Sequence, residues 1–127
     1  MQFLMLIKIA NDTDYEAGKP PPAALEAAMG ELIGEWSKTG AFVSAAGLKP
    51  TSQAARLRLN RGKVNISDGP FTEAKEVIGG YAIFNVTSKA EIVDWATRFI
   101  ELHKAALEGL GGRVRDPPDV RAALGQP

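Results

Sequence analysis

Residues 67–80 read S-D-G-P-F-T-E-A-K-E-V-I-G-G, and no other stretch restricts the possible folds of this chain as tightly. Asp68-Gly69 is a turn dipeptide, because an Asp carboxylate can accept bonds from nearby backbone N–H groups and Gly tolerates backbone angles closed to other residues. Pro70 has a fixed φ and no N–H to donate, so a sheet ladder cannot run through it. Phe71 follows at once, a large apolar group placed to anchor the turn on a core. Strand-like apolar runs lie on either side. The chain must therefore make a sharp corner inside a β-rich region.

The remaining elements arrange themselves around that corner. Residues 3–10 read as a buried first strand, with Phe3, Met5, Ile7 and Ile9 on one face and Leu4 and Leu6 on the other until Lys8 interrupts. Two apolar faces suit a central strand. Residues 22–39 predict a helix whose stripe is Leu25, Met29, Leu32, Ile33 and Trp36, closed by Gly40 as a left-handed cap. Residues 41–48 predict a strand of mostly small side chains, which leaves room for a pocket or for a large neighbour. Residues 54–60 and 63–67 predict a hairpin around Arg61-Gly62, in a two-residue turn or a bulged loop, with Leu57, Leu59, Val64 and Ile66 as its apolar positions. Residues 79–86 are a further strand, and Ser88-Lys89-Ala90-Glu91 is a capping box for a second helix. Ile92, Ala96, Phe99, Ile100, His103 and Leu107 share the stripe of that helix. Residues 113–115 would make a short last strand, and residues 119–125 one helical turn.

The order β-α-β-ββ-β-α-β predicts an α+β fold, a ferredoxin-like antiparallel sheet with an added hairpin. Helices on one face leave the other face of the sheet to be buried, and a second copy of the chain is the simplest cover, so a homodimer is expected. Residues 1–127 are expected to form a single domain, with residues 116–127 as a C-terminal tail.

Composition narrows the function classes. Lys plus Arg and Asp plus Glu both number 15, so no global field draws nucleic acid or an anionic membrane. Arg56, Arg58, Arg61 and Lys63 on the hairpin are then a solvated basic face, and no nucleic-acid partner is expected. The absence of cysteine excludes disulfides and thiolate chemistry, and a single His gives no metal-ligand spacing, so neither metal nor cofactor is expected. The apolar start M-Q-F-L-M-L-I-K-I-A is short and alternating, which fits a strand rather than a leader or a membrane span, and a cytoplasmic location is the default.

The run D-G-P-F-T-E-A-K-E followed by G-G-Y resembles the signature of the YCII-related family, in its DGPF subgroup. M-Q-F-L-M-L-I, Gly47-Leu48-Lys49-Pro50, R-L-R-L-N-R-G-K-V, Ser88-Lys89-Ala90-Glu91 and Phe99-Ile100-Glu101-Leu102-His103 carry the resemblance over roughly residues 1–115. It implies a ferredoxin-like fold whose sheets pair face to face in a dimeric α+β barrel, with pockets between sheet and helices near the dimer interface. The wider superfamily includes small enzymes acting on aromatic or muconate-type acids. Some members are encoded with sigma-factor-like regulators, which implies a regulatory protein partner as the competing expectation. The chain departs from the family in two places. Compact members carry a His near the start of the first helix, where this chain has Pro22-Ala23-Ala24-Leu25-Glu26, so that catalytic pair does not carry over. The usual final strand is replaced by Arg113-Val114-Arg115-Asp116-Pro117.

Asp68 is a candidate general acid or base, with the apolar surface of Phe71 raising its pKa; alternatively its carboxylate closes an Asx turn. His103 is a candidate acid/base group facing a pocket, or a packing residue bonded to one carbonyl. Glu73, Lys75 and Glu76 read as a charged segment that orders the loop, with Lys75 placed to pair with Asp68. Lys8, Phe71 and Tyr81 are candidate ligand-binding residues: a cation for a carboxylate, an apolar wall and a hydroxyl. Together they predict a small organic acid as ligand and lyase- or isomerase-type proton transfer. The alternative is a non-enzymatic regulatory or protein-interaction module.

Overall fold

The structure, a computed structural model, describes residues 1–10, 17–18, 22–108 and 119–124, with side chains described up to residue 105. Its elements are β1 (Gln2–Ala10), α1 (Ala23–Thr39), β2 (Phe42–Gly47), a 3-10 turn (Thr51–Gln53), β3 (Ala55–Asn60), β4 (Lys63–Asp68), β5 (Glu76–Asn85), α2 (Lys89–Glu108) and β6 (Asp119–Leu124). The main sheet has the order β2-β5-β1-β6 with antiparallel neighbours, and β3-β4 is a separate hairpin. This is an α+β architecture consistent with a ferredoxin-like fold. The strand expected at residues 113–115 lies outside the described residues.

The final strand corrects one expectation. Residues 119–124 form no helical turn; they pair with β1 from Phe3↔Leu124 to Lys8↔Asp119. The physical reason is the second edge of β1, whose backbone groups need partners that β5 cannot supply.

Strand alternation turns Phe3 and Met5 of β1 and Ala82 and Phe84 of β5 toward the helices, where they are buried with Leu32 and Trp36 of α1 and Ile92 and Phe99 of α2. Trp36 lies at the middle of this core. Its ring meets the Phe84 ring edge-on at a centroid distance of 4.9 Å and stacks with Phe99 at 6.5 Å. Arg98 of α2 bonds Glu35 of α1 across the outer surface of the helix pair.

Local chemistry accounts for the ends of the helices. Gly40 closes α1 at φ 74°, a left-handed angle that suits a residue without Cβ. Ser88 Oγ accepts the Glu91 N–H at 3.2 Å, as a capping box requires. The returning carboxylate reaches one residue further back than the usual pattern, accepting the Thr87 N–H and hydroxyl at 2.9 Å each. Those bonds hold the Glu91 carboxyl below its ordinary value.

Candidate functional site

A cavity of about 330 Å³ opens between the sheet and the two helices. Met5 and Ile7 of β1 and Gly79, Gly80, Tyr81 and Ala82 of β5 form its floor. Ala45, Ala46 and Gly47 of β2 border one side, so the small side chains of the second strand do leave usable space. Met29, Ile33 and Trp36 of α1, with Phe99 and His103 of α2, form the roof. Among the described residues, no Lys, Arg, Asp or Glu lines it.

The floor is shaped by a bulge. β1 and β5 pair in step from Gln2↔Asn85 to Ile7↔Gly80, and then Lys8 faces Ile78, leaving Gly79 as the extra residue. Both glycines are crowded: a Cβ on Gly80 would stand 3.0 Å from the Ala46 carbonyl oxygen, and one on Gly79 would stand 2.7 Å from Ile9 Cδ1. Alternation places Tyr81 with its partner Leu6 on the face turned away from the helices. Tyr81 therefore borders the cavity through its backbone, and its hydroxyl does not belong to the roof chemistry.

Among the described lining residues, His103 is the one whose side chain titrates near neutrality. It is half-buried, and its Nδ1 lies 2.8 Å from the Phe99 carbonyl oxygen one turn back on α2. A carbonyl can only accept, so Nδ1 carries the proton and Nε2 is bare. Burial holds the imidazole below its ordinary value of 6.5, against a weaker upward pull from the Phe99 bond. The ring is neutral at physiological pH. The Phe99 ring packs against it with centroids 4.3 Å apart.

Asp68 sits elsewhere, at the end of β4, opposite Ala55 at the root of the hairpin. It is exposed, and among the described residues its carboxylate has neither a hydrogen bond nor an ion pair. The Asx turn is not formed, nor is an ion pair between Lys75 and Asp68. The corner is held by other groups. Gly69 donates its N–H to the Ala54 carbonyl at 2.9 Å, and Phe71 donates to Thr51 Oγ1 at 3.1 Å. Arg56 lies over the Phe71 ring at 4.2 Å and bonds Glu73 Oε1 at 2.6 Å. That bond keeps the Glu73 carboxyl below its usual range. Gly69 presses on the 3-10 turn so closely that a Cβ there would stand 1.7 Å from the Thr51 carbonyl oxygen.

The sequence-derived candidates thus fall into separate places. His103 and Tyr81 border the cavity, Asp68 and Phe71 lie at the corner, and Lys8 sits at the bulge with its ammonium 3.5 Å from Glu76. Trp36, Met29 and Phe99 were legible as core stripes but not as cavity walls. The run of small residues in β2 was the one signal that pointed to the space they enclose.

Fold and cavity together define a small α+β protein with an apolar recess between its helices and an antiparallel sheet. The family model for the YCII-related domain matches residues 1–106, and the chain belongs to that family. It is also similar to an uncharacterized protein of Rhizobium meliloti (strain 1021), 36% identical over 62 residues, which are 49% of this chain and 50% of that protein. The aligned region spans about half the length of that relative.

Proposed function

We propose that this protein binds a small organic molecule in the cavity under the helices, and that His103 is the group that moves a proton there, in lyase- or isomerase-type chemistry. One observation carries the reading: an apolar recess of ligand size whose described lining includes one titratable side chain near neutrality, an imidazole with Nε2 bare. An organic acid fits if its carboxylate stays at the mouth, because the described lining residues offer no cation to offset the desolvation of a buried anion. Phe71 serves this site indirectly, by fixing the corner that precedes β5. The motif Asp68-Gly69-Pro70-Phe71 also supports placement in the DGPF subgroup.

The test is a titration of the His103 ring by NMR in the presence of small aromatic and unsaturated acids and their neutral analogues. A ligand of the cavity shifts the His103 resonances and the Met5 and Met29 methyls together. Ala45→Phe, which fills the recess from β2, abolishes those shifts while the fold persists. Ring and methyl signals indifferent to every compound would sink the proposal.

A second reading, an interaction or regulatory module, has its own observation. Leu57, Leu59, Val64 and Ile66 share one face of the hairpin by the pairs Leu57↔Ile66 and Leu59↔Val64, and each is 62–76% exposed. A homodimer through the outer face of the sheet, where Leu4, Leu6 and Ile83 lie half-buried, belongs to either reading.

A further inference from the structure

The cavity accepts some polar groups and refuses others, and the refusals are informative. Among the described residues its lining holds no ammonium or guanidinium, so a carboxylate or phosphate drawn against them would lose its hydration without a counter-charge from them. The same residues include no carboxylate, so an amine cation fares no better against them. What remains among the described residues is a mainly apolar body bounded by Phe99, Met5, Met29 and Trp36, whose buried indole Nε1–H has no partner among them, with one imidazole at its edge.

That imidazole is not interchangeable as donor and acceptor. Nδ1 is committed to the Phe99 carbonyl of its own helix, a bond that any occupant would have to break before using that proton. Nε2 offers a lone pair and no hydrogen. At Nε2 a ligand whose only polar atom is an acceptor, such as an ether or ketone oxygen, would meet lone pair with lone pair. A ligand with a hydroxyl would donate directly. The chemistry of proton transfer agrees: among the described residues no cation lines the recess to stabilise an oxyanion, so the imidazole there suits a proton that is already acidic.

We infer that the ligand of this cavity is an uncharged, largely apolar molecule bearing a weakly acidic hydroxyl, of phenol or enol type, which donates to His103 Nε2. The inference rests on the cavity reading above and names the class of compound that the cavity selects.

A matched set of probes tests it on the full chain: a naphthol, its methyl ether and the corresponding naphthoate, followed through the Met5 and Met29 methyls and the His103 ring. The naphthol binds about tenfold or more tightly than the ether, which lacks the donor, and the naphthoate binds most weakly. His103→Phe lowers naphthol affinity to that of the ether and leaves the ether unchanged; the wild-type comparison decides the matter even if that variant folds poorly. An ether that binds as well as the naphthol overturns the inference and leaves the cavity reading standing. A naphthoate that binds tightest also overturns it, by showing that His103 takes up a proton to become a counter-ion. If none of the three moves the methyl signals, the inference and the cavity reading fall together.

Discussion

At the scale of single residues, Gly69 and Asp68 are neighbours with opposite standing. The Cβ of an alanine at position 69 would collide with a backbone carbonyl, which cannot swing aside as a side chain can. Gly69→Ala is expected to lower stability by about 3 kcal/mol or more, with the hairpin root as the first region to open. Asp68→Asn removes an exposed charge that has no hydrogen-bond or ion-pair partner among the described residues and should change stability by less than about 0.5 kcal/mol. Urea unfolding of both variants checks the contrast, and equal effects would contradict it. The sequence marks both positions as a turn but misassigns the reason for the glycine. Its need comes from Thr51, which reaches the corner only after the hairpin has folded back, and no local pattern records that approach.

At the scale of elements, what was legible follows from periodicity. The stripes of both helices, the Gly40 cap and the alternation of β1 and β5 appear where spacing places them. β6 was not legible, because strand identity there depends on the free edge of a distant β1 rather than on its own six residues. The hairpin is a mixed case. Arg61 at φ 51° and Gly62 at φ 78° make a two-residue turn with Asn60 facing Lys63, as one of the two turn forms required. Alternation puts four apolar side chains on one face, yet says nothing of what covers them. Two apolar surfaces therefore compete as the site of self-association, and sedimentation separates them. The wild type is expected to run as a dimer, Leu6→Glu on the outer sheet face as a monomer, and Leu59→Lys on the hairpin as a dimer still. The reverse pattern would transfer the interface to the hairpin and favour the interaction reading.

At the scale of the whole molecule, the buried imidazole ties stability to pH. The folded pKa of His103 lies below its unfolded value of about 6.5, so between the two the unfolded chain binds more protons. Its contribution is complete above about pH 6.5 and is lost as pH falls through the folded pKa. No other His titrates in that window. Denaturant midpoints should therefore decline as pH drops below that value in the wild type and flatten there in His103→Leu; identical slopes would show that the ring is not desolvated on folding. Far from this ring, the corner at Gly69 has a different kind of consequence. Thr51, Ala54, Arg56, Phe71 and Glu73 clamp the hairpin at its base, while the turn at Arg61-Gly62 closes it at the tip. Residue pairs added or removed between clamp and tip would preserve the two-residue alternation and leave the clamp, and β5 beyond it, in place. The arm is a free length in the design of this fold: relatives can reach further or less far from the same recess without rebuilding it.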